Sequence, residues 1–144
     1  MLSDRVKTDL TAAMRAGESL KVSVLRMLLS AFNYKKIDLQ HDLTETEEIT
    51  VTQNEAKKRR EAIESYRAGG RKEQEEQEAK ELTILQIYLP KQMSEEEIRN
   101  EIGEMRYLEG VSDFGQAMRV ISPMFRGKAD GSLVARIVKE VVGG

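Results

Sequence analysis

Residues 126–131 read Arg-Gly-Lys-Ala-Asp-Gly, two cations and a carboxylate set among glycines. Residue types in that order could cradle a phosphate, cap a helix, or do both. A nucleotide-binding P-loop requires a glycine five positions before the Gly-Lys pair and a hydroxyl residue directly after it. Ser122 and Ala129 occupy those places, and a helix rather than a strand is predicted to lead in, so the P-loop is excluded. Local chemistry supplies a structural role. Gly127 can take the left-handed conformation that ends a helix, and Lys128 lies where a helix carbonyl end favours a cation. Asp130 is suited to accept the backbone N–H of Ser132 or Leu133 as N-cap of a following helix that Gly131 opens. The same corner could aim Arg119, Arg126 and Lys128 along one edge toward a phosphate backbone, and the two roles are compatible.

A second group of cations lies upstream. Residues 57–72 hold seven Lys or Arg against Glu61 and Glu64, a local charge of +5, and residues 115–144 carry a local +3. Between them, residues 91–114 hold seven acids against three bases. The net charge of −2 therefore hides two basic zones while arguing against wholesale, non-specific nucleic-acid binding. On a helical wheel Arg59 falls beside the apolar stripe, where it is expected to lay its stem on the core and meet a carboxylate. Lys57, Lys58 and Arg60 fall on the flanks, either solvated or facing a ligand, with Glu61 and Glu64 at i,i+4 spacing to neutralise them in part.

Groups that could be activated for catalysis are few. The chain has no cysteine and one histidine, His41, in a predicted loop without a second ligand at helical spacing. Glu45 with Glu48, and Glu97 with Glu101, have the spacing of paired ligands but read as solvated faces or caps. No residue is assigned a catalytic role, no metal site is expected, and no cofactor is called for.

The elements that must carry these groups are helical. With 40% hydrophobic and 33% charged residues, two prolines and no tryptophan, the 144-residue chain has a helical composition and can bury a real core. No run approaches the length of an uncharged membrane span, and Met1–Leu10 is charged where a signal peptide is apolar. A cytoplasmic protein is expected. Punctuation and period predict seven helices. The first follows Ser3 and stops at Gly17, burying Val6, Leu10, Ala13 and Met14. The second runs from Ser19 to Leu39 with Val24, Leu25, Leu28, Leu29, Phe32 and Ile37 on its core face. The third opens on a capping box, Thr44 with Glu47, and ends at Ala68 before Gly69-Gly70, with a thin apolar face of Ile49, Ala56, Ile63 and Tyr66. The fourth runs from Lys72 to Leu89, its second half apolar (Ala79, Leu82, Leu85, Leu89), and stops at Pro90.

Residues 89–94, LPKQMS, make the best boundary, because a proline precedes a fresh capping box of Ser94 with Glu97. Three shorter helices fit residues 95–108, 113–126 and 131–142, with a kink or early stop at Pro123. The expectation is an all-α protein: an N-terminal helical domain of about four helices over residues 1–90, then a three-helix tail over residues 94–144.

Four stretches carry a resemblance over nearly the whole chain: residues 20–39, 54–71, 84–98 and 113–134. Together they resemble the YqeY family, YLPKQ-S-EEE followed by DFG…M…GKADG being the most specific part. The last stretch is similar to the tail domain of the B subunit of glutamine-dependent tRNA amidotransferase. The resemblance implies an all-helical domain joined to a three-helix tail that helps engage tRNA, the transamidation chemistry lying elsewhere in that larger enzyme. A carbon–nitrogen ligase label with glutamine as amide donor would be inherited from it, though this chain carries no amidase nucleophile arrangement or ATP loop. One departure bears on the corner. Where the family pattern has a lysine after the Asp-x-Gly glycine and a glycine a few residues on, this chain has Gln116 and Arg119.

Two functions follow as expectations. The first is a non-catalytic accessory protein that engages tRNA or other RNA through Lys57, Lys58, Arg60, Arg119, Arg126 and Lys128. The second is a protein-interaction module whose tail docks on a protein partner through Met118, Met124 and Phe125. Neither membrane nor metal is an expected partner.

Overall fold

The computed structural model describes residues 1–105 and 113–142. Seven α-helices and no strand are found among the described residues, so the protein is all-α. The chain forms two compact units, Met1–Leu89 and Pro90–Gly144.

The first unit contains α1 (Leu2–Ala16), α2 (Ser19–Leu39), α3 (Glu45–Ala68) and α4 (Lys72–Gln86). α1 packs chiefly on α2 and α3 on α4, with α2 touching all three others. Its core gathers Leu2, Val6, Val24, Leu25, Leu28, Phe32, Val51, Leu85 and Tyr88. Local signals set most of the ends. Gly17, at φ 71°, takes the left-handed cap of α1, and the N–H of Glu18 reaches back to the Ala13 carbonyl at 3.0 Å. Thr44 Oγ1 accepts the N–H of Glu47 at 3.2 Å while the Glu47 carboxylate accepts the N–H of Thr44 at 2.9 Å, completing the capping box of α3.

Other features depart from the sequence reading. α1 begins at Leu2, so Ser3 lies inside it, and the Ser3 N–H is bound instead by Glu48 Oε2 from α3 at 3.0 Å. Met14 and Ile37 are 52% and 68% exposed, because the stripe on each helix drifts past the edge of the surface its neighbours cover. α3 is more polar inside than its pattern implied: Glu48, Thr52 and Glu55 are buried beside Val51, Ala56 and Ile63. Glu48 is thus neither solvated nor a cap of its own helix. α4 ends at Gln86, three residues early, because residues 87–89 tighten into turns with i to i−3 bonds from Tyr88 and Leu89. That tightening aims Tyr88 inward, where its hydroxyl donates to Asp9 Oδ2 at 2.6 Å beneath the Arg5 guanidinium.

The second unit contains α5 (Glu95–Gly103), α6 (Phe114–Phe125) and α7 (Gly131–Val142) around Ile98, Ile102, Ala117, Ile121, Phe125, Ala129, Val134, Ile137, Val138 and Val142. Ser94 and Glu97 close the capping box of α5. α5 ends at Gly103, short of the predicted 95–108, because the chain tightens at its end, the Met105 N–H bonding the Ile102 carbonyl three residues back at 3.1 Å; residues 106–108 lie outside the described residues. Pro123 does not stop α6, which continues to Phe125. Proline removes the donor that the Arg119 carbonyl would otherwise receive. The Phe125 side chain, 2% exposed in the core, provides burial that offsets this cost.

Candidate nucleic-acid interface

The corner between α6 and α7 is built from burial outward. Phe125 and Ala129 are both core residues, so the three residues between them must cross from one helix to the next in a fixed path. Arg126 leaves the helix at φ −59°, ψ 125°, and Gly127 turns the chain at φ 79°. That left-handed value costs a residue with a Cβ roughly 1–2 kcal/mol, which glycine avoids. The N–H groups of Lys128 and Ala129 both return to the Phe125 carbonyl, at 2.9 and 3.1 Å. Asp130 Oδ1 accepts the N–H of Ser132 at 3.0 Å at the start of α7, where Gly131 is the first helical residue.

Two cations stand on this corner and a third lies further back on the helix that leads into it. Arg126 and Lys128 are exposed side chains flanking the buried Gly127, and Arg119 is exposed on α6. None of the three forms an ion pair among the described residues. Other tail cations are engaged. Arg99 contacts Glu140 at 2.5 Å and Glu95 at 2.9 Å, and Arg136 reaches the same Glu95 oxygen at 3.0 Å. The hydrogen bond from Arg99 first, with Arg136 adding charge, holds the Glu95 carboxyl below the usual carboxylate range.

The upstream zone is more neutralised. Lys58 turns back to Glu55 Oε1 at 3.1 Å, and Glu64 is taken by Arg67, which also binds Glu75 at 2.7 Å. Arg59 lies 17% exposed, 3.6 Å from Glu78 and 3.4 Å from Glu81, with its guanidinium also against the Met27 sulfur. Lys57 and Lys58 line a groove of about 630 Å³ between α2 and α3, together with Tyr34, Lys35, Asp38, Glu55 and Glu61. Three carboxylates balance three lysines there, which gives a polyanion little net attraction. Arg60 is half-buried and makes no ion pair among the described residues. His41 is an exposed loop residue whose Nδ1 lies 2.7 Å from the Asp42 carbonyl.

The apolar docking triad is corrected at two of its three positions. Phe125 belongs to the tail core and Met118 packs against it, so only Met124, 44% exposed, presents substantial surface. The i,i+4 spacing of Ala117, Ile121 and Phe125 was the signal that placed Phe125 inside.

Residues 90–93, a plain boundary in the sequence, make contacts with the corner. Gln92 Nε2 donates to the Gly127 carbonyl at 2.8 Å, and the Met93 N–H donates to the Lys128 carbonyl at 2.8 Å. Residues 90–93 are therefore strapped to the corner. The chance to foresee this lay in the two most specific motifs of the chain, one holding Gln92 and the other Gly127.

Comparison with known proteins gives one family: that described as Yqey-like protein matches residues 3–142. No curated protein matches the chain.

Proposed function

This chain belongs to the YqeY family, and on that premise we propose that it is a non-catalytic accessory protein that engages tRNA or another structured RNA through its basic helix surfaces. The single observation that carries the reading is the state of the tail cations: Arg126 and Lys128 on the corner and Arg119 on α6 are exposed and form no ion pair among the described residues. Cations already held by carboxylates gain little from a phosphate, since one pairing must be given up for the other. Cations on a fixed turn without such partners release condensed counterions when they meet a polyanion. Few phosphates are met in this way, so binding is weak, shape-directed and steeply salt-dependent. Lys57, Lys58 and Arg60 act as a secondary surface, their attraction reduced by Glu55 and the other acids of the α2–α3 groove.

The test is tRNA binding by the full chain across a salt series, with Arg126→Glu combined with Lys128→Glu as the variant. Binding that falls with salt, and is lost in the variant while helical circular dichroism is unchanged, supports the reading. A flat salt response, or no binding at low salt, sinks it.

A second reading, docking of the tail on a protein, is supported by Val120 and Met124, 52% and 44% exposed one turn apart on α6. A stoichiometric protein partner recovered after nuclease treatment, and lost on Val120→Glu, would favour it over the first.

A further inference from the structure

Residues 90–93 read Pro-Lys-Gln-Met and connect the end of the first unit to the capping box of α5. Backbone carbonyls just past a helix end have no intrahelical donor and must find one elsewhere. At the α6–α7 corner those of Gly127 and Lys128 find theirs in this connecting strap. Gln92 Nε2 serves the Gly127 carbonyl at 2.8 Å and the Pro90 carbonyl at 2.8 Å, so one amide clamps the strap to the corner and to itself. The Met93 N–H serves the Lys128 carbonyl at 2.8 Å, and the Met93 side chain packs on the tail core. The Gln92–Gly127 bond crosses 35 residues of sequence, and the Met93–Lys128 bond runs beside it.

The consequence concerns Lys91. It is exposed and lies between Pro90 and Gln92, both of which are held by the same amide. It forms no ion pair among the described residues. The hydrogen bonds of the capping box, the Ser94 N–H at 3.3 Å first, hold the Glu97 carboxyl below its usual range, and the charge of Lys91 adds to them last. A lysine is a point charge on a flexible four-carbon stem, so fixing its backbone is enough to fix the region it serves.

We propose that the strap and the corner form one polyanion-binding surface, in which Lys91 is a further phosphate-contacting cation beside Arg126 and Lys128. Gln92 is the positioning residue that holds it there. The occupant is the sugar–phosphate backbone of RNA, so the inference rests on the function proposed above and extends it to a segment outside the corner itself. Pairing of strap and corner also gives a physical reason for Gln92 and Gly127 to occur together in one chain.

The experiment is filter binding of unfractionated tRNA to the full chain from about 50 to 200 mM salt, with Lys91→Ala, Lys128→Ala and Gln92→Leu. Lys91→Ala and Lys128→Ala are each expected to weaken binding about five-fold near 0.15 M salt and to lower the salt slope by about one. Gln92→Leu is expected to shift binding in the same direction with the helical signal retained. Gln92 lies partly inside the tail and its variant could unfold; the exposed Lys91 side chain can be removed without that risk and carries the test. Lys91→Ala binding like wild type while Lys128→Ala weakens overturns the strap and leaves the RNA reading standing. Absence of wild-type binding at low salt overturns both. A nuclease-resistant protein partner that is lost on Lys91→Ala overturns RNA as the occupant.

Discussion

Glu48, in the first turns of α3, accepts the backbone N–H of Ser3 at the start of α1 over 3.0 Å, and does so while 2% exposed. A carboxylate there supplies the end of another helix, whose N–H groups lack acceptors, with the partner that a local serine would ordinarily provide. Its second oxygen, Oε1, is buried without a hydrogen-bond partner. The residue therefore joins two helices at the cost of one unsatisfied atom.

Replacing it separates the two effects. Glu48→Ala leaves the Ser3 N–H unbonded and opens space, and is expected to destabilise the chain by about 1–3 kcal/mol. Glu48→Gln keeps an acceptor for Ser3 and removes a buried charge, so it is expected to lie within about 1 kcal/mol of wild type. Urea denaturation followed by circular dichroism checks both; equal losses in the two variants would show that the charge, not the hydrogen bond, is what matters.

Arg59 holds Glu78 and Glu81 of α4 to α3. Removing one partner of a buried pair costs about 3–5 kcal/mol, and the residual exposure here scales that down. Arg59→Ala is expected to cost on the order of 2 kcal/mol. Arg59→Met, which keeps most of the stem against the core, should cost less. A larger loss for Arg59→Met than for Arg59→Ala would contradict this account.

The same cluster sets a pH dependence. Burial first, then the hydrogen bond and charge of Glu81, push the Glu78 carboxyl above its ordinary value of 4.5, with Arg59 opposing. A carboxyl that binds its proton more tightly when folded stabilises the fold fully below its unfolded value. That contribution is lost as pH rises through the folded value. The stability difference between wild type and Glu78→Gln should therefore shift against wild type as pH rises above about 4.5. Denaturant midpoints of the two proteins measured across that range check the sign, and Glu81→Gln should flatten the trend.

The turn that carries the corner cations depends on two residues of opposite kinds. Gly127→Ala places a Cβ at φ 79° and is expected to cost about 1–2 kcal/mol. Asp130→Ala removes the acceptor of the Ser132 N–H and is expected to cost about 1 kcal/mol. Hydrogen exchange of α7 amides should rise in both variants; unchanged protection would mean that the core alone holds the corner.

Much of the helical organisation was legible along the chain because its causes act over three or four residues. The capping boxes of Thr44 with Glu47 and Ser94 with Glu97 formed as read, since a side chain and the backbone a turn away meet whatever the rest of the molecule does. Gly17 ended α1 for the same reason. The identities and clustering of the cations were likewise visible. That Arg59 would meet a carboxylate was legible from its place beside the apolar stripe. Which of the others remain without one was not, because Arg99 meets Glu140 and Arg136 meets Glu95 only after helices pack.

Periodicity names a face of a helix but not how wide its neighbours are, so Met14 and Ile37 were assigned to a core that leaves them exposed. Spacing also could not foresee that α4 would tighten after Gln86 to aim Tyr88 at Asp9, a contact 79 residues away. The strap was hidden for the same reason. A proline followed by a capping box marks a break in helix, and nothing short-range says that Gln92 will serve a carbonyl on a turn far along the chain. Helix identity, ends and charge content are local properties of this polypeptide and can be read from it directly. The pairing of its charges and the fastening of residues 90–93 follow from close packing, which brings together groups that chain order keeps apart.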